Sequence, residues 1–221
     1  MKKVFIILYI LSINISFAEQ NYTPMNKPVP KMTPAESKKF CSYKDGDIVV
    51  GNPKTAKVTV TGYTAFACPH CNHFVGDIMP KLKKEYFENI NKNVIYVYRT
   101  FPMSASDVKA KQLLLCKQWP MKKMIELNET LYATSSSWVH NAKFEQKLTE
   151  IARIFGFADK DIFSCFGSKK LEDKVLMDRM EIMQKTGLAG VPAIFVNGKM
   201  IEGYSYKAIA EAIESELKFN K

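Results

Sequence analysis

Two cysteines that flank a proline and a histidine form the segment of this chain most capable of chemistry. In "FACPHC", residues 66–71, Pro69 and His70 separate the thiols of Cys68 and Cys71. A Cys-x-x-Cys pair can exchange a disulfide with other thiols, contribute to a metal site, or close a small structural disulfide. The elements on either side of the motif distinguish among these three roles.

The motif lies where a predicted strand meets a predicted helix. β-Branched and aromatic residues alternate over residues 57–63, which indicates a strand. Pro69 is tolerated in the first turn of a helix, and the helical pattern continues to about Phe87. A strand that runs directly into Cys-x-x-Cys at a helix start is a signature of thiol redox chemistry.

This placement predicts different roles for the two thiols. Unpaired N–H groups at a helix start favour the thiolate of Cys68, and His70 can add a donor or a positive charge. Cys71 lies one turn deeper, so we expect its sulfur to point inward. A stabilised thiolate favours the reduced state, which makes the disulfide a stronger oxidant. We therefore predict that a substrate thiolate attacks Cys68, that Cys71 leaves, and that a second substrate thiol resolves the mixed disulfide.

The two other roles fit the sequence less well. Zinc could be bound by Cys68 and Cys71 with His70 or His73, but a structural zinc site needs four ligands, usually as two separated pairs. No second Cys-x-x-Cys is present. A structural disulfide within the motif would close so short a loop that it adds little entropic stabilisation. We expect neither a metal nor an organic cofactor.

The rest of the chain predicts a mixed α/β fold. The remaining elements are expected at residues 93–101 (a strand), about 104–186 (helices), 193–196 and 199–202 (a hairpin) and 205–219 (a helix). Asn197-Gly198 supplies the positive φ angles that a tight hairpin turn requires. This order predicts a βαβ unit whose sheet is extended by antiparallel strands and covered by helices on both faces.

Taken together, the chain resembles the DsbA-type thiol:disulfide oxidoreductases of the thioredoxin superfamily over about residues 48–219. The resemblance rests on "FACPHC", on the strand before it, on the helical block and on "GVPAIFVNG". It implies a thioredoxin-like fold, a central mixed sheet flanked by helices, with an all-helical insertion at about 104–186. It also implies that Cys68, Cys71, His70 and Pro69 form the catalytic motif.

The resemblance further identifies a substrate-binding dipeptide and one departure from the family pattern. Val191-Pro192 matches the family's cis-proline dipeptide, which lies against the active-site cysteines, and the Val191 backbone would pair with an extended substrate peptide. Family members often carry a buried acidic residue six positions before the first cysteine. Gly62 occupies that position here, which leaves the proton path to the buried cysteine undefined.

Three further cysteines lie outside the motif. Cys116 and Cys165 fall in the predicted helical block, and in an exported chain they would tend to oxidise to a structural disulfide. Such a bond would contribute roughly 4 kcal/mol in the chain-entropy model, and some DsbA relatives contain a similar one. The alternative is a pair of buried free thiols. Cys41 then lacks an obvious partner.

The N-terminal region predicts export. Residues 1–18 combine two lysines, an apolar run and small residues before a cleavage site, which is the pattern of a signal peptide. An uncleaved membrane anchor is the alternative. Residues 19–47 form a proline-rich arm that we expect to be extended over 21–40, because closely spaced prolines oppose a regular helix. The single domain then covers residues 48–221.

Charge and composition argue against nucleic-acid binding. The formal net charge is +10, but the lysines are scattered and no Arg-rich stripe or aromatic nucleic-acid motif occurs.

From the motif, the resemblance and the predicted signal peptide, we predict a monomeric, periplasmic oxidase that introduces disulfides into unfolded or reduced exported proteins. The resemblance implies reoxidation by a membrane quinone reductase of the DsbB type. The alternatives are a disulfide isomerase or reductase and a peptide-binding chaperone on the same scaffold.

Overall fold

The computed structural model describes residues 32–219. The predicted signal peptide and the first part of the proline-rich arm lie outside these residues. Strands are β1 (Ile48–Val50), β2 (Val58–Thr64), β3 (Val94–Thr100), β4 (Ala193–Val196) and β5 (Lys199–Met200). Helices are α1 (Pro34–Cys41), α2 (Pro69–His73), α3 (Met79–Leu82), α4 (Ala105–Cys116), α5 (Met121–Ala133), α6 (Ser135–Trp138), α7 (Phe144–Ile154), α8 (Asp159–Phe166), α9 (Lys169–Thr186) and α10 (Tyr206–Phe219).

The strands form one mixed sheet in the order β1-β3-β2-β4-β5. β2 and β3 run parallel, with Val60 opposite Tyr96, while β1, β4 and β5 each join antiparallel to a neighbour. The predicted mixed sheet is confirmed, and so is the hairpin, since Asn197 and Gly198 have φ angles of 46° and 83°. β1 was not predicted, because three residues are too few for an alternating pattern.

Helices cover both faces of the sheet, as predicted. On one face, Val60 and Tyr96 pack in a large apolar cluster with Ile209 and Ile213 of α10. On the other face, Tyr63 and Phe195 pack in a second cluster with Phe40 and Ile182, which come from α1 and α9. Six of the seven residues of β2 are buried, so neither face of this strand is exposed to solvent. The alternation of valine and threonine therefore reflects the preference of strands for β-branched residues.

The arm was expected to be extended, and this expectation is wrong for residues 34–41. The Thr33 hydroxyl accepts a hydrogen bond from the Glu36 N–H (3.3 Å), while Glu36 accepts one from the Thr33 N–H (2.8 Å). This capping box starts α1, and Pro34 occupies the first turn, where its missing N–H leaves no bond unmade. Pro24, Pro28 and Pro30 precede α1 in the chain, and Pro34 is its first residue, so no proline lies in the interior of this helix.

The helical insertion occupies the predicted region, because every element between β3 and β4 is a helix. A disulfide between Cys116 and Cys165 joins the end of α4 to α8, with the two Cα atoms 5.5 Å apart. Cys41 is a free thiol that is 1% exposed. Over residues 32–219, none of the helices combines the length and the apolarity that crossing a membrane would need.

Candidate active site

Cys68 sits at the junction between the sheet and the helix that follows β2. It is the N-cap residue of α2, and its sulfur accepts a hydrogen bond from the Cys71 N–H at 3.2 Å. Pro69 begins the helix and is exposed, as is His70, whereas Cys71 is fully buried. The helix continues to Phe87 through two π-helical turns at Phe74–Ile78 and Lys83–Phe87.

The two thiols have opposite pKa shifts. The Cys71 thiol, which donates to the Cys68 sulfur, lowers the pKa of Cys68 to about 7, and the N–H groups of Cys71 and His70 add to this effect. Burial and the negative charge of Asp107 oppose it. Burial, together with the hydrogen bond to Cys68, raises the pKa of Cys71. Cys68 is therefore the thiolate of the pair, and Cys71 is held as a thiol.

Cys68 is more covered than the sequence suggests. Its side chain is only 6% exposed, because the loop before β4 lies across it. The Cys68 thiol lies 3.4 Å from the Val191 carbonyl oxygen, to which it donates when protonated. The Val191-Pro192 peptide bond is cis, and both residues are half-buried. The structure thus brings the Cys-x-x-Cys motif and the Val191-Pro192 dipeptide together, although 123 residues separate Cys68 from Val191 in the chain.

In the reduced protein, ionisation of Cys68 should be measurable directly. We expect the thiolate absorbance to show a midpoint near pH 7 in the wild type, from the lowered pKa of Cys68. Because the folded pKa lies below that of an ordinary cysteine, the ionised form adds stability above the unfolded pKa, and this stability is lost as pH falls through 7. The reduced form should therefore gain about 2 kcal/mol between about pH 6 and pH 8.5.

The oxidised form provides the control for this titration, because neither sulfur of a disulfide titrates. Denaturant unfolding of both forms across the same pH range isolates the contribution of the two motif thiols. Ionisation of Cys71 in the unfolded chain offsets part of the gain from Cys68, but only near and above the unfolded pKa. A midpoint close to that of a free cysteine, together with parallel stability profiles of the two forms, would contradict the assignment of Cys68 as a stabilised thiolate.

The two histidines near the motif occupy different surroundings. The His70 ring centroid lies 6.2 Å from that of Tyr204. Nδ1 of His73 lies 2.7 Å from a carboxylate oxygen of Asp77, one turn along the helix. Within residues 32–219, no group of three or more His, Cys, Asp or Glu side chains is placed to hold a metal ion.

A buried carboxylate that sequence reasoning missed lies beside the motif. Asp107, in the first turn of α4, is fully buried and accepts a hydrogen bond from the Ala67 N–H at 2.9 Å. Its second oxygen accepts from the N–H groups of Met103 (2.8 Å) and Ser104 (3.1 Å). Ser104 and Asp107 form a capping box, a three-residue spacing that the sequence displays. Asp107 thereby fixes the backbone that precedes Cys68.

Comparisons with known proteins agree with this architecture. A family model described as thioredoxin matches residues 43–215. A Rickettsia typhi protein with the provisional name protein-disulfide oxidoreductase is 29% identical over 188 residues, which are 85% of this chain and 68% of the relative. Disulfide bond formation protein D of Bacillus subtilis is 25% identical over 170 residues, 74% of each chain. This chain spans 62 to 68% of the length of the Rickettsia relatives it matches.

Solved structures share the fold. The crystal structure of α-DsbA1 from Wolbachia pipientis superposes with a TM-score of 0.75 at 22% identity, covering 83% of this chain and 97% of that one. At 22% identity this similarity shows the shared fold. The assignment to a family rests on the model that matches residues 43–215. The chain therefore belongs to the thioredoxin family, whose model covers most of its length, and its similarity to the Rickettsia relatives indicates a protein-disulfide oxidoreductase.

Proposed function

We propose that this protein is an exported dithiol oxidase that transfers its Cys68–Cys71 disulfide to other exported proteins. The observation that carries the proposal is the asymmetry of the two thiols, since the pKa of Cys68 is lowered to about 7 while burial raises that of Cys71. Stabilising the thiolate favours the reduced form, which raises the reduction potential of the couple. Such a disulfide is readily passed to a substrate.

The transfer takes place in two exchange steps. A substrate thiolate attacks the Cys68 sulfur, the Cys68–Cys71 bond breaks, and its electron pair leaves on Cys71, which takes up a proton. A second substrate thiolate then attacks the substrate sulfur of the mixed disulfide, and Cys68 leaves as a thiolate. The substrate loses two electrons and two protons and gains a disulfide, while the protein becomes a dithiol. The lowered pKa of Cys68 makes it a good leaving group in the second step.

The surface around Cys68 suits a peptide substrate. The Val191 carbonyl oxygen lies 3.4 Å from the Cys68 sulfur, and Pro69 and His70, which follow Cys68 in the chain, are exposed. An extended peptide that pairs with the Val191 backbone would present its own cysteine to Cys68. Main-chain pairing accepts many sequences, which suits an enzyme that acts on unfolded chains.

The cellular setting follows from the sequence rather than from the fold. The signal peptide predicted for residues 1–18 supports export to the periplasm, where disulfides persist. There the protein would act as a monomer without a metal or organic cofactor. Each turnover leaves it reduced, so an oxidant must restore the disulfide. A membrane quinone reductase of the DsbB type is the partner we propose.

The function is tested by mixing the oxidised protein with a stoichiometric amount of a reduced dithiol peptide. We expect the peptide to become oxidised and the protein to become reduced, with equilibrium against glutathione placing the potential well above the value of about −270 mV typical of thioredoxin. A potential near or below that of thioredoxin would reject the oxidase and favour a reductase. Faster rearrangement of a mispaired disulfide protein than oxidation of the peptide would favour an isomerase.

A further inference from the structure

Tyr96 fills the space in which a side chain at position 62 would lie. Gly62 is in the middle of β2, and its missing Cβ would point to the same face of the sheet as the Tyr96 ring on β3. A Cβ built there would be 1.8 Å from the Tyr96 hydroxyl oxygen and 2.6 Å from its Cζ atom. The tyrosine therefore excludes any larger residue at position 62, an acidic one included.

The Tyr96 hydroxyl is a buried donor without a described partner. Tyr96 is 0% exposed, and its oxygen makes no hydrogen bond to any residue in the described part of the chain. Burying a polar group in this way costs about 1–3 kcal/mol. A phenylalanine would fill the same volume without that cost, so the hydroxyl itself requires an explanation.

The hydroxyl belongs to the apolar cluster that encloses Cys71. The Tyr96 ring packs at 6.3 Å from that of Phe74, which follows α2, and Cys71 lies in the same cluster. A negative charge on Cys71, which the reduced thiol does not carry, would raise the pKa of Tyr96 further above the value set by burial. Tyr96 thus lies within electrostatic range of the cysteine that each oxidation step expels.

The other ionisable groups around Cys71 are already engaged. Cys68 is its redox partner, and the carboxylate of Asp107 accepts its hydrogen bonds from the Ala67, Met103 and Ser104 backbone and the Ser104 hydroxyl. The Tyr132 hydroxyl, which also experiences the charge of Cys71, donates to Thr64 Oγ1 at 2.7 Å. The Tyr98 hydroxyl, beside the Tyr96 ring, donates to Glu129 at 2.8 Å. Of these three tyrosines, Tyr96 is the one whose hydroxyl group donates no hydrogen bond within the described residues.

We propose that the Tyr96 hydroxyl donates a hydrogen bond, directly or through one water, to the Cys71 sulfur as it leaves the disulfide. When a substrate thiolate attacks Cys68, the S–S bond breaks and the electron pair develops on Cys71 inside an apolar cluster. A donor aimed at that charge stabilises it only while it exists. The phenolic proton stays on Tyr96, and Cys71 takes up its own proton from solvent or substrate.

This inference rests on the proposed function and assigns to Tyr96 a role in its first step. A carboxylate in this position could exchange protons with Cys71, whereas a phenol whose pKa is raised acts only as a donor. The expected consequence is kinetic. Tyr96 should change how fast Cys71 is expelled and recaptured, but not the equilibrium between disulfide and dithiol, because Cys71 is a neutral thiol in the reduced state.

The test compares Tyr96→Phe with Tyr132→Phe in the full chain. Under single turnover with reduced glutathione, Tyr96→Phe should lower the rate of attack on the Cys68–Cys71 disulfide about tenfold. Its reduction potential and the pKa of Cys68 should match those of the wild type, and its unfolding free energy should be equal or higher. Tyr132→Phe, which leaves Thr64 without its donor, should lose stability but keep the wild-type rate.

The outcomes separate this inference from the proposed function. If the wild type oxidises a dithiol peptide and Tyr96→Phe does so at a rate within twofold of it, the role of Tyr96 is refuted while the function stands. If Tyr96→Phe changes the reduction potential and the Cys68 pKa together with the rate, its role is structural, and the inference is again overturned. A wild type that fails to oxidise the peptide would instead reject the function.

Discussion

Replacing Cys68 with serine is expected to reduce the oxidation of a dithiol peptide to the rate measured without protein. A serine hydroxyl cannot form the disulfide, and Cys71 is fully buried with a raised pKa, so it cannot replace Cys68 as the attacked sulfur. The measurement is the appearance of oxidised peptide, followed by chromatography. Circular dichroism on the same sample confirms that the variant is folded.

Cys71→Ser is the matched control, because it keeps Cys68 and removes only the second thiol of the motif. When supplied with a single-cysteine peptide as its disulfide-linked dimer, this variant should form a stable mixed disulfide at Cys68 and release one peptide thiol, because neither Cys71 nor a second thiol in the bound peptide remains to displace Cys68. Mass spectrometry would detect the adduct. Oxidation that persists in Cys68→Ser would refute the assignment of the nucleophile. Undiminished protection of an unfolding client by Cys68→Ser, together with a wild type that oxidises no dithiol, would favour the chaperone alternative.

Arg99→Met should lower the free energy of unfolding by about 3 kcal/mol. The Arg99 guanidinium donates to the Phe40 and Ser42 carbonyls, each at 2.7 Å, and to the Asp47 carboxylate at 2.9 Å. It also donates to the Tyr63 hydroxyl at 3.1 Å. Methionine approximates its volume, so the loss comes from buried acceptors left without a donor rather than from a cavity. Denaturant unfolding of the oxidised protein measures it.

Arg153→Met provides the comparison, because it breaks an ion pair of similar geometry at the surface. Arg153 lies 2.8 Å from Asp159 with both side chains 53% exposed, whereas Arg99 and Asp47 are 10% and 17% exposed. Water replaces the lost partner at the exposed site, so this variant should lose much less stability than Arg99→Met. Equal losses in the two variants would show that Arg99 does not hold the segment from α1 to β1 against the sheet.

Those elements whose signals are local could be predicted from the sequence. The alternation over 57–63, the Asn-Gly turn and the Cys-x-x-Cys at a helix start each depend on residues within one strand, turn or helix. The same holds for the capping box that begins α1, although the prolines before it obscured that signal. A Thr-x-x-Glu spacing with proline in the first turn is enough to identify such a helix start.

Contacts between distant segments could not be read in this way. Nothing near Asp107 in the sequence indicates that its carboxylate accepts a bond from Ala67, because 40 residues separate them. Trp138 follows three serines, yet it is fully buried with its ring 5.6 Å from that of Phe66. In each case the partner is chosen by how helices of the insertion pack on the sheet.

The sequence by itself was enough to predict Cys68 as the reactive sulfur, because a helix start and its unpaired N–H groups are encoded within a few residues of Cys68. The tertiary structure decided what surrounds that chemistry. In the sequence, Gly62 shows only that the acidic residue often found at this position in the family is absent. The pairing of β2 with β3 places the Tyr96 hydroxyl where a side chain at position 62 would lie. Side-chain types are local information, whereas the volume each one may occupy depends on every neighbour that the fold brings against it.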